Sequence, residues 1–252
     1  MGRLDTHHIL VTGGSRGIGA ATVEKAHAEG ASVSFLDLLP EEGAALAARL
    51  GGQVHFTPAD VTRADDIARA LAESTARFGP VTGLVNNAGR NSYADPVTMT
   101  EEQWDAVFAV DLKSAWLAAR AVLPGMIAAR RGAIVNIASV HADMTYPGFF
   151  PYAAAKSGLV GMTRSLALDM GPHQIRVNAL SPGYTETALV AEFFAKSDPA
   201  LRARVLETHP MRRIATPAEI AACICFLLSD EASFVTGANW IVDGGLTARF
   251  AG

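Results

Sequence analysis

The feature that most constrains the fold of this chain is the alternation, from end to end, of short apolar runs with longer stretches of helical spacing. The apolar runs are continuously hydrophobic, as in strands that are buried on both faces of a parallel sheet. Strands that alternate with helices join through right-handed crossovers, which place helices on both faces of the sheet. The sequence therefore predicts an α/β fold, a doubly wound parallel sheet of about seven strands.

The predicted elements follow one another without a linker, a repeat or a low-complexity tract. The predicted strands are His8–Thr12, Ser32–Asp37, Val54–Thr57, Gly83–Asn86, Ala133–Ala138, Arg176–Leu180 and Trp240–Val242. The predicted helices are Gly17–Glu29, Pro40–Leu50, Ala64–Phe78, Glu101–Arg130, Tyr152–Met170 and Pro217–Leu228. We expect a single domain over residues 1–252, in which residues 184–214 interrupt the rhythm as an inserted helical flap.

Composition excludes several classes of protein. Lys and Arg total 21 against 25 Asp and Glu, a net charge of −4, and no basic stripe indicates a nucleic-acid site. No apolar stretch reaches the ~20 residues that a membrane-spanning helix needs. Cys223 and Cys225 lie two residues apart on a predicted helix, which suits neither a disulfide nor a shared metal ion. We expect buried, unreactive thiols, a reducing cytoplasmic location, and no metal site, with His7 and His8 at a strand edge.

A glycine-rich turn, Thr12-Gly13-Gly14-Ser15-Arg16-Gly17-Ile18-Gly19, connects the first predicted strand to the first helix. Glycines permit a tight turn and close backbone approach, and the free N–H groups of a helix N-terminus can bind a pyrophosphate. This strand–turn–helix context is typical of a Rossmann-type dinucleotide site. The predicted cofactor contacts in the turn are Gly13, Ser15, Arg16, Gly17, Ile18 and Gly19.

Asp37 ends the second predicted strand, 20 residues beyond Gly17. A carboxylate there can accept hydrogen bonds from both ribose hydroxyls of an adenosine and repels a 2′-phosphate, which favours NAD. Arg16 is the one residue that favours NADP, because a cation in the glycine turn could bind that phosphate. We expect the carboxylate to dominate, so NAD is the predicted cofactor and NADP the alternative.

Tyr152 and Lys156 are four residues apart on a predicted helix, which places both side chains on one face. A free tyrosine with a pKa near 10 is a poor base at neutral pH, but an adjacent ammonium stabilises the phenolate. Ser139 lies at the end of the fifth predicted strand and could hydrogen-bond the reacting oxygen. These three side chains together predict acid/base chemistry on a hydroxyl or carbonyl group.

With these motifs in this order, the chain resembles a short-chain dehydrogenase/reductase over essentially its whole length. The matching residues are Thr12–Gly19, Asp60-Val61, Asn86-Asn87-Ala88-Gly89, Ser139, Tyr152, Lys156, Pro182-Gly183 and Val242-Asp243-Gly244-Gly245. The resemblance implies that Tyr152 is the acid/base, that Ser139 steadies the substrate oxygen, and that Lys156 contacts the nicotinamide ribose and tunes Tyr152. It also implies cofactor contacts at Asp60, Val61, Asn86, Ala88, Gly89, Tyr152, Lys156, Pro182, Gly183, Thr185 and Thr187.

Asp111 departs from the family pattern, which usually has Asn at this position to end a proton relay through water to the lysine. A carboxylate can still accept a hydrogen bond from water or from Lys156, so we predict that Asp111 is catalytic and that activity persists. It could instead raise the pKa of Tyr152 by partly neutralising Lys156. A catalytically weak NAD-binding sensor or scaffold is the alternative that this departure leaves open.

Substrate contacts are predicted at Arg90, Asn91, His141 and Glu186, which lie near the family motifs or in the flap. Met144, Tyr146, Phe149 and Phe150 are expected to form the wall and lid of the pocket. Polar pocket residues suit a polyhydroxylated small molecule, because buried polar groups need partners. The leading hypothesis is therefore NAD-dependent oxidation of a hydroxyl on a sugar, polyol or sugar acid, with residues 184–214 as the substrate flap. The alternative is an NADPH-dependent 3-oxoacyl or carbonyl reductase.

Two further expectations concern assembly. The resemblance implies a homotetramer, with the helices Glu101–Arg130 and Tyr152–Met170 forming one interface and the last strand forming another. The tail from Leu246 to Gly252, which contains Arg249 and Phe250, is expected to reach the pocket of a neighbouring subunit.

Overall fold

The computed structural model describes residues 2–249, which form a seven-stranded sheet with helices on both faces. The strands are β1 (His8–Thr12), β2 (Ser32–Asp37), β3 (Val54–Pro58), β4 (Gly83–Asn86), β5 (Gly132–Ile137), β6 (Ile175–Pro182) and β7 (Asn239–Val242). Their order is β3-β2-β1-β4-β5-β6-β7, and every neighbouring pair is parallel. The predicted doubly wound sheet is confirmed. The order reverses between β1 and β4, where such sheets bind ligands at the carboxyl ends of their strands.

The helices connect successive strands, and two of them follow β6 in the predicted flap. They are α1 (Gly17–Ala28), α2 (Pro40–Leu50), α3 (Ala64–Phe78), α4 (Glu101–Phe108), α5 (Ser114–Ala129), α6 (Tyr152–Met170), α7 (Ala188–Ala195), α8 (Leu201–Thr208) and α9 (Pro217–Leu228). The predicted bounds of α2, α3, α6 and α9 are confirmed. The capping residues explain two of the starts: Thr100 and Thr216 each form a reciprocal capping box with the residue three positions on.

The predicted helix Glu101–Arg130 is wrong in one respect, because it is interrupted. Between α4 and α5 lies a turn of π-helix, Ala109–Lys113, which contains Asp111. A π turn accommodates extra residues and rotates the following helix, which hydrophobic periodicity alone does not reveal. Such turns occur often at functional sites. The insertion directs Asp111 into the interior, where its side chain is fully buried.

The hydrophobic core has one layer on each face of the sheet. Successive residues of a strand point to opposite faces. Accordingly, Val11 of β1 belongs to the cluster beneath α1 and α9, and Leu10 belongs to the cluster beneath α3 and α5. Phe35 and Ile134 are among the largest side chains that are fully buried in these layers. The two packed layers fix the carboxyl edge of the sheet, from which the loops of the site project.

The remaining expectations about the surface have mixed outcomes. Cys225 is buried, and burial raises the pKa of its thiol to about 12, whereas Cys223 is only half-buried. His8 is buried rather than at an exposed edge, with Nε2 2.9 Å from Ser34 Oγ. Among residues 2–249 no His, Cys, Asp and Glu cluster suits a metal ion, and no described helix is long and apolar enough to cross a membrane. Phe250 lies outside the described residues.

Arg176, on β6, stabilises the end of α9. Its guanidinium donates to the carbonyl oxygens of Leu227 at 2.7 Å, Leu228 at 3.3 Å and Ser229 at 2.9 Å, groups that a helix end leaves without intrahelical donors.

Arg176→Met keeps the aliphatic stem but leaves these carbonyls unsatisfied, so we expect a loss of about 2 kcal/mol in the free energy of unfolding. Urea denaturation at fixed protein concentration measures it. Arg204→Met, at an exposed ion pair with Asp198, is the control, and an equal loss in both variants would contradict this role.

Candidate active site

A cleft of about 620 Å³ opens at the carboxyl edge of the sheet, where the order of the strands reverses. Most of the residues predicted to bind the cofactor line it. They are Gly13, Arg16, Gly17, Ile18, Asp37, Asp60, Val61, Ala88, Gly89, Tyr152, Lys156, Pro182, Gly183, Thr185 and Thr187. The cleft runs from the glycine turn and Asp37 at one end to Ser139 and Tyr152 at the other.

The glycine turn has the backbone that its sequence predicts. Gly13 has a φ of +65°, which is unfavourable for residues with a side chain, and a Cβ there would lie 2.9 Å from the Cα of Ala88. The turn leads directly into α1 at Gly17, and no described side chain caps this helix. The N–H groups of its first turn therefore remain available for an anionic ligand.

Ser15 adds a further sign that the turn fits a phosphate. Its hydroxyl oxygen is buried and has no hydrogen-bond partner among residues 2–249. Buried hydroxyls normally have partners, so the free Oγ beside the glycine turn fits a ligand with oxygen acceptors. The residues of this end thus match the pyrophosphate of a nicotinamide dinucleotide. Ser15 and Gly19 are not among the residues that line the cleft, and Gly19 keeps the turn tight, because a Cβ there would collide with the carbonyl oxygen of Gly13.

Asp37 is held at the end of β2 by two backbone groups. Its Oδ2 accepts from the N–H of Ser15 at 2.9 Å, and its Oδ1 accepts from the N–H of Leu39 at 3.2 Å. The carboxylate is therefore fixed beside the glycine turn and lines the cleft. Arg16 lines the same end, but its guanidinium forms an ion pair with Glu42 of α2. That pairing partly neutralises the one cation that favours a 2′-phosphate.

The predicted contact at Asn86 is not supported by its position. Its side chain is buried under α5, where Nδ2 donates to Asn136 Oδ1 at 2.8 Å and to the carbonyl of Ala115 at 3.3 Å. The next residue, Asn87, lines the cleft instead. Its Nδ2 donates to the carbonyl of Gly13 at 2.8 Å, which ties the glycine turn to the end of β4.

Tyr152, Ser139 and Lys156 come together at the inner end of the cleft. Tyr152 begins α6, and its hydroxyl lies near the hydroxyl of Ser139, which follows β5. The Oγ of Ser139 also accepts from the N–H of His141 at 3.2 Å. Lys156, one turn further along α6, places its Nζ 5.6 Å from the centre of the Tyr152 ring. The structure thus brings together the three side chains that the spacing predicted.

Opposing effects act on the pKa of Tyr152. Burial raises it, because the phenolate would lose its hydration, and the negative charge of Asp111 adds to this effect. The ammonium of Lys156 and the hydrogen bond with Ser139 lower it. The net direction is upward in the absence of a bound ligand. Any further positive charge brought into the cleft would favour the phenolate.

Lys156 and Asp111 form a buried ion pair. Their side chains are 5% and 0% exposed, and Nζ lies 3.5 Å from Oδ1. The ammonium also donates to the carbonyl of Ile137 at 3.1 Å, and Asp111 Oδ1 accepts from the N–H of Arg90 at 3.1 Å. Burial raises the pKa of Asp111, and Lys156 opposes that rise. Asp111 Oδ2 is buried with no partner among residues 2–249, so the carboxylate retains a site for a water molecule or a proton.

Of the predicted substrate residues, Arg90, Asn91 and His141 line the cleft. Glu186 does not: it is exposed and lies outside the residues that line it, because the chain turns at Thr185 to pair with Ala215. His141 stacks on Phe149 with ring centres 4.0 Å apart. Burial lowers the pKa of His141 to about 4, so its ring is neutral at pH 7.

Aromatic rings form the wall of the substrate end. The wall consists of Tyr93, His141, Phe149, Tyr184 and Phe193, which come from different segments of the chain and all line the cleft. Four wall residues were expected, and only Phe149 lines the cleft. Tyr146 and Phe150 line a neighbouring cavity, and Met144 lines neither. Tyr93 and Tyr184 were missed, since both lie in loops without periodicity. We refer to the rings of Tyr93, His141, Phe149, Tyr184 and Phe193 as the aromatic wall.

Comparisons with known proteins agree with this geometry. A family model described as Enoyl-(Acyl carrier protein) reductase matches residues 13–247. The chain is 40% identical to 2-(S)-hydroxypropyl-CoM dehydrogenase 3 of Xanthobacter autotrophicus, with 98% of each chain covered. It is 39% identical to the 3-oxoacyl-[acyl-carrier-protein] reductase FabG of Thermotoga maritima, over 97% of this chain and 99% of the other. The crystal structure of levodione reductase superposes with a TM-score of 0.93 at 34% identity, over 98% of this chain and 100% of that one.

The chain belongs to the short-chain dehydrogenase/reductase family. It is an oxidoreductase that uses a nicotinamide cofactor and acts on CH–OH donors or the corresponding carbonyls. The three relatives are named for three different substrates. Membership in the family therefore defines the chemistry but not the molecule that undergoes it.

Tyr152→Phe removes only the hydroxyl that lies near Ser139. If this hydroxyl carries the proton of the reaction, turnover falls by about 1,000-fold or more, while the affinity for NADH changes little. Steady-state rates and a fluorescence titration with NADH measure the two quantities. Retained turnover in a correctly folded variant would remove Tyr152 from the proposed chemistry.

Asp111→Asn removes the negative charge beside Lys156 and keeps the shape of the side chain. Oxidation needs the Tyr152 phenolate, so its rate rises with pH as Tyr152 loses its proton. Because Asp111 raises the pKa of Tyr152, its removal lowers that pKa, and the rising limb of kcat/KM moves to lower pH by about one unit. The exposed Asp65→Asn on α3 is the control. An unmoved limb would mean that Asp111 carries no charge in the working enzyme.

Proposed function

We propose that this protein oxidises a secondary hydroxyl to a ketone with NAD. The observation that carries the proposal is the arrangement of the cleft. Tyr152, Ser139 and Lys156 meet at one end, and the glycine turn with Asp37 forms the other. A dinucleotide that extends between these ends would present its nicotinamide beside Tyr152. The same residues would support reduction of the ketone, as the reaction is reversible.

The side chains at the inner end have complementary roles in this reaction. Ser139 Oγ donates a hydrogen bond to the substrate oxygen and orients it toward Tyr152. The Tyr152 phenolate takes the hydroxyl proton, and the ammonium of Lys156, 5.6 Å from the centre of the ring, stabilises that phenolate before it accepts the proton. When bound, the nicotinamide would supply the acceptor for the hydride that leaves the carbon atom bearing this hydroxyl. Asp111, with its free Oδ2, provides the path by which the proton leaves Tyr152 through Lys156 and water.

The contacts of two residues, Asp37 and Arg16, support NAD over NADP. The two backbone hydrogen bonds to Asp37 hold a carboxylate beside the glycine turn, where its charge would repel a 2′-phosphate. Arg16, the residue in favour of NADP, is already paired with Glu42. The 3-oxoacyl reductase alternative has the FabG relative in its favour, but it needs Arg16 to be available.

The prediction of a sugar, polyol or sugar acid as substrate has limited support from the cleft. Arg90 and Asn91 line the substrate end, in accord with a polar ligand. Glu186 does not line it, and the rest of this end is mainly aromatic and aliphatic. We therefore retain a small-molecule secondary alcohol as the proposed substrate.

We also propose that the chain acts as one domain with residues 184–214 as its flap, and that four copies assemble. Thr187 at the start of α7 lies against Gly17, which supports closure of the flap over the cleft. Exposed apolar side chains support the tetramer, since they lie at both predicted interfaces: Trp116 on α5, Leu168 on α6 and Ile241 on β7. A cytoplasmic location has the support of two free cysteines.

The ratio of kcat/KM with NAD to that with NADP tests the proposal. We expect wild-type protein to oxidise secondary alcohols with NAD at least about 100-fold more efficiently than with NADP, followed as absorbance of the reduced cofactor. Asp37→Ala removes the repulsion and should reduce this ratio by at least about tenfold, whereas Asp65→Ala on α3 should leave it unchanged. A ratio unaffected by Asp37→Ala would contradict the ribose assignment. Activity confined to NADPH and acyl substrates would favour the reductase.

A further inference from the structure

The aromatic wall is continuous and reaches the reacting group. Phe149 links its members, with ring centres 4.9 Å from Tyr93, 4.0 Å from His141 and 6.3 Å from Phe193. His141 and Phe149 also lie 5.8 Å and 6.4 Å from the ring of Tyr152. A substrate whose oxygen reaches Tyr152 must therefore place its neighbouring carbon atoms against these rings.

Two of the polar atoms of the wall are already paired with neighbouring side chains. Asn91 Nδ2 lies 2.9 Å from the hydroxyl of Tyr93, and His141 Nδ1 lies 2.9 Å from Thr145 Oγ1. His141 is neutral at pH 7, since burial holds its pKa at about 4. A substrate that carried several hydroxyl groups into this end would meet mainly the faces of rings, and each hydroxyl left unpaired there would weaken binding.

The charged residues of this end lie at its mouth rather than in its wall. Arg90 is exposed, and Glu192 is exposed and forms an ion pair with Lys196 one turn further along α7. Tyr93 and Phe149 also border a second cavity of about 640 Å³, on the outer side of the loops. These two rings thus form the partition that limits the width of the substrate end.

We propose that the aromatic wall selects a secondary alcohol carried on, or directly attached to, a compact apolar ring. The flat faces of an alicyclic or aromatic ring match those of the wall, and offset or edge-to-face contacts add to the burial of apolar area. The single polar group of such a substrate is the one that Ser139 and Tyr152 satisfy. This inference rests on the proposed alcohol oxidation and names its substrate class.

Two substrates with the same ring test the inference. Cyclohexanol and myo-inositol share a six-membered ring and differ in the number of hydroxyl groups it carries. With wild-type protein and NAD, we expect kcat/KM for cyclohexanol to exceed that for myo-inositol by at least about 100-fold. 1-Phenylethanol, in which the ring adjoins the carbinol carbon, should also be oxidised.

Phe193 and Phe194 supply a matched pair of variants on α7. Phe193 lines the cleft and stacks on Tyr93 with ring centres 5.9 Å apart, whereas Phe194 does not line it. Phe193→Leu should raise the KM for cyclohexanol about tenfold with little change in kcat, because it removes ring contacts but not the acid/base group. Phe194 stacks on Tyr184 with ring centres 5.8 Å apart but does not reach the substrate, so Phe194→Leu should change both constants by less than about threefold.

The outcomes separate this inference from the proposed function. Preference for myo-inositol or other polyols, with NAD-linked turnover intact, would overturn the substrate class and leave the proposed alcohol oxidation in place. Equal effects of Phe193→Leu and Phe194→Leu would overturn the role of the wall. Binding of NADH without oxidation of any secondary alcohol would overturn the proposed function, and this inference with it.

Discussion

The buried ammonium of Lys156 is the interaction on which the rest of the site depends. It joins three elements, since it extends from α6, donates to the carbonyl of Ile137 on β5 and pairs with Asp111 in the π turn. Removing an ammonium from water costs several kcal/mol, so the group can be buried only because these oxygens compensate it. Asp111 is equally dependent on Lys156, because an unpaired carboxylate would be as costly there. The position of Tyr152 relative to a positive charge is thus fixed by a pair of groups that stabilise each other.

The π turn gives that pair its geometry. In an uninterrupted α-helix from Glu101 to Ala129, the buried residues before and after Asp111 would lie on one continuous face of the helix. The wider turn instead changes the rotation between α4 and α5, so that Asp111 points inward while Leu117 and Ala118 still pack in the core layer of α5. The π turn is less regular than an α-helix, but it allows α5 to pack on the sheet and Asp111 to point inward within the same connection.

Local sequence predicted the scaffold well and the wall poorly, for physical reasons. The bounds of β1, β2 and β4 are confirmed because each is a short apolar run, ended by a turn or by a polar residue. Tyr152 and Lys156 are neighbours because helical spacing determines such pairs. The π turn escaped prediction, since hydrophobic periodicity continues through it. Tyr93 and Phe193 approach to 5.9 Å from loops and helices far apart in the chain, a proximity that only the assembled fold creates.

The two ends of the cleft differ in character, and Tyr152 lies at their boundary. The cofactor end presents backbone N–H groups and the Asp37 carboxylate, whereas neutral aromatic rings form the wall of the substrate end. The rings that we propose to select the substrate also lie beside Tyr152, and burial is the main cause of its raised pKa. Substrate selection and proton transfer are therefore coupled through one apolar surface. A change that opened the wall to water would relax the choice of substrate and, in the same step, lower the pKa of the group that accepts the proton.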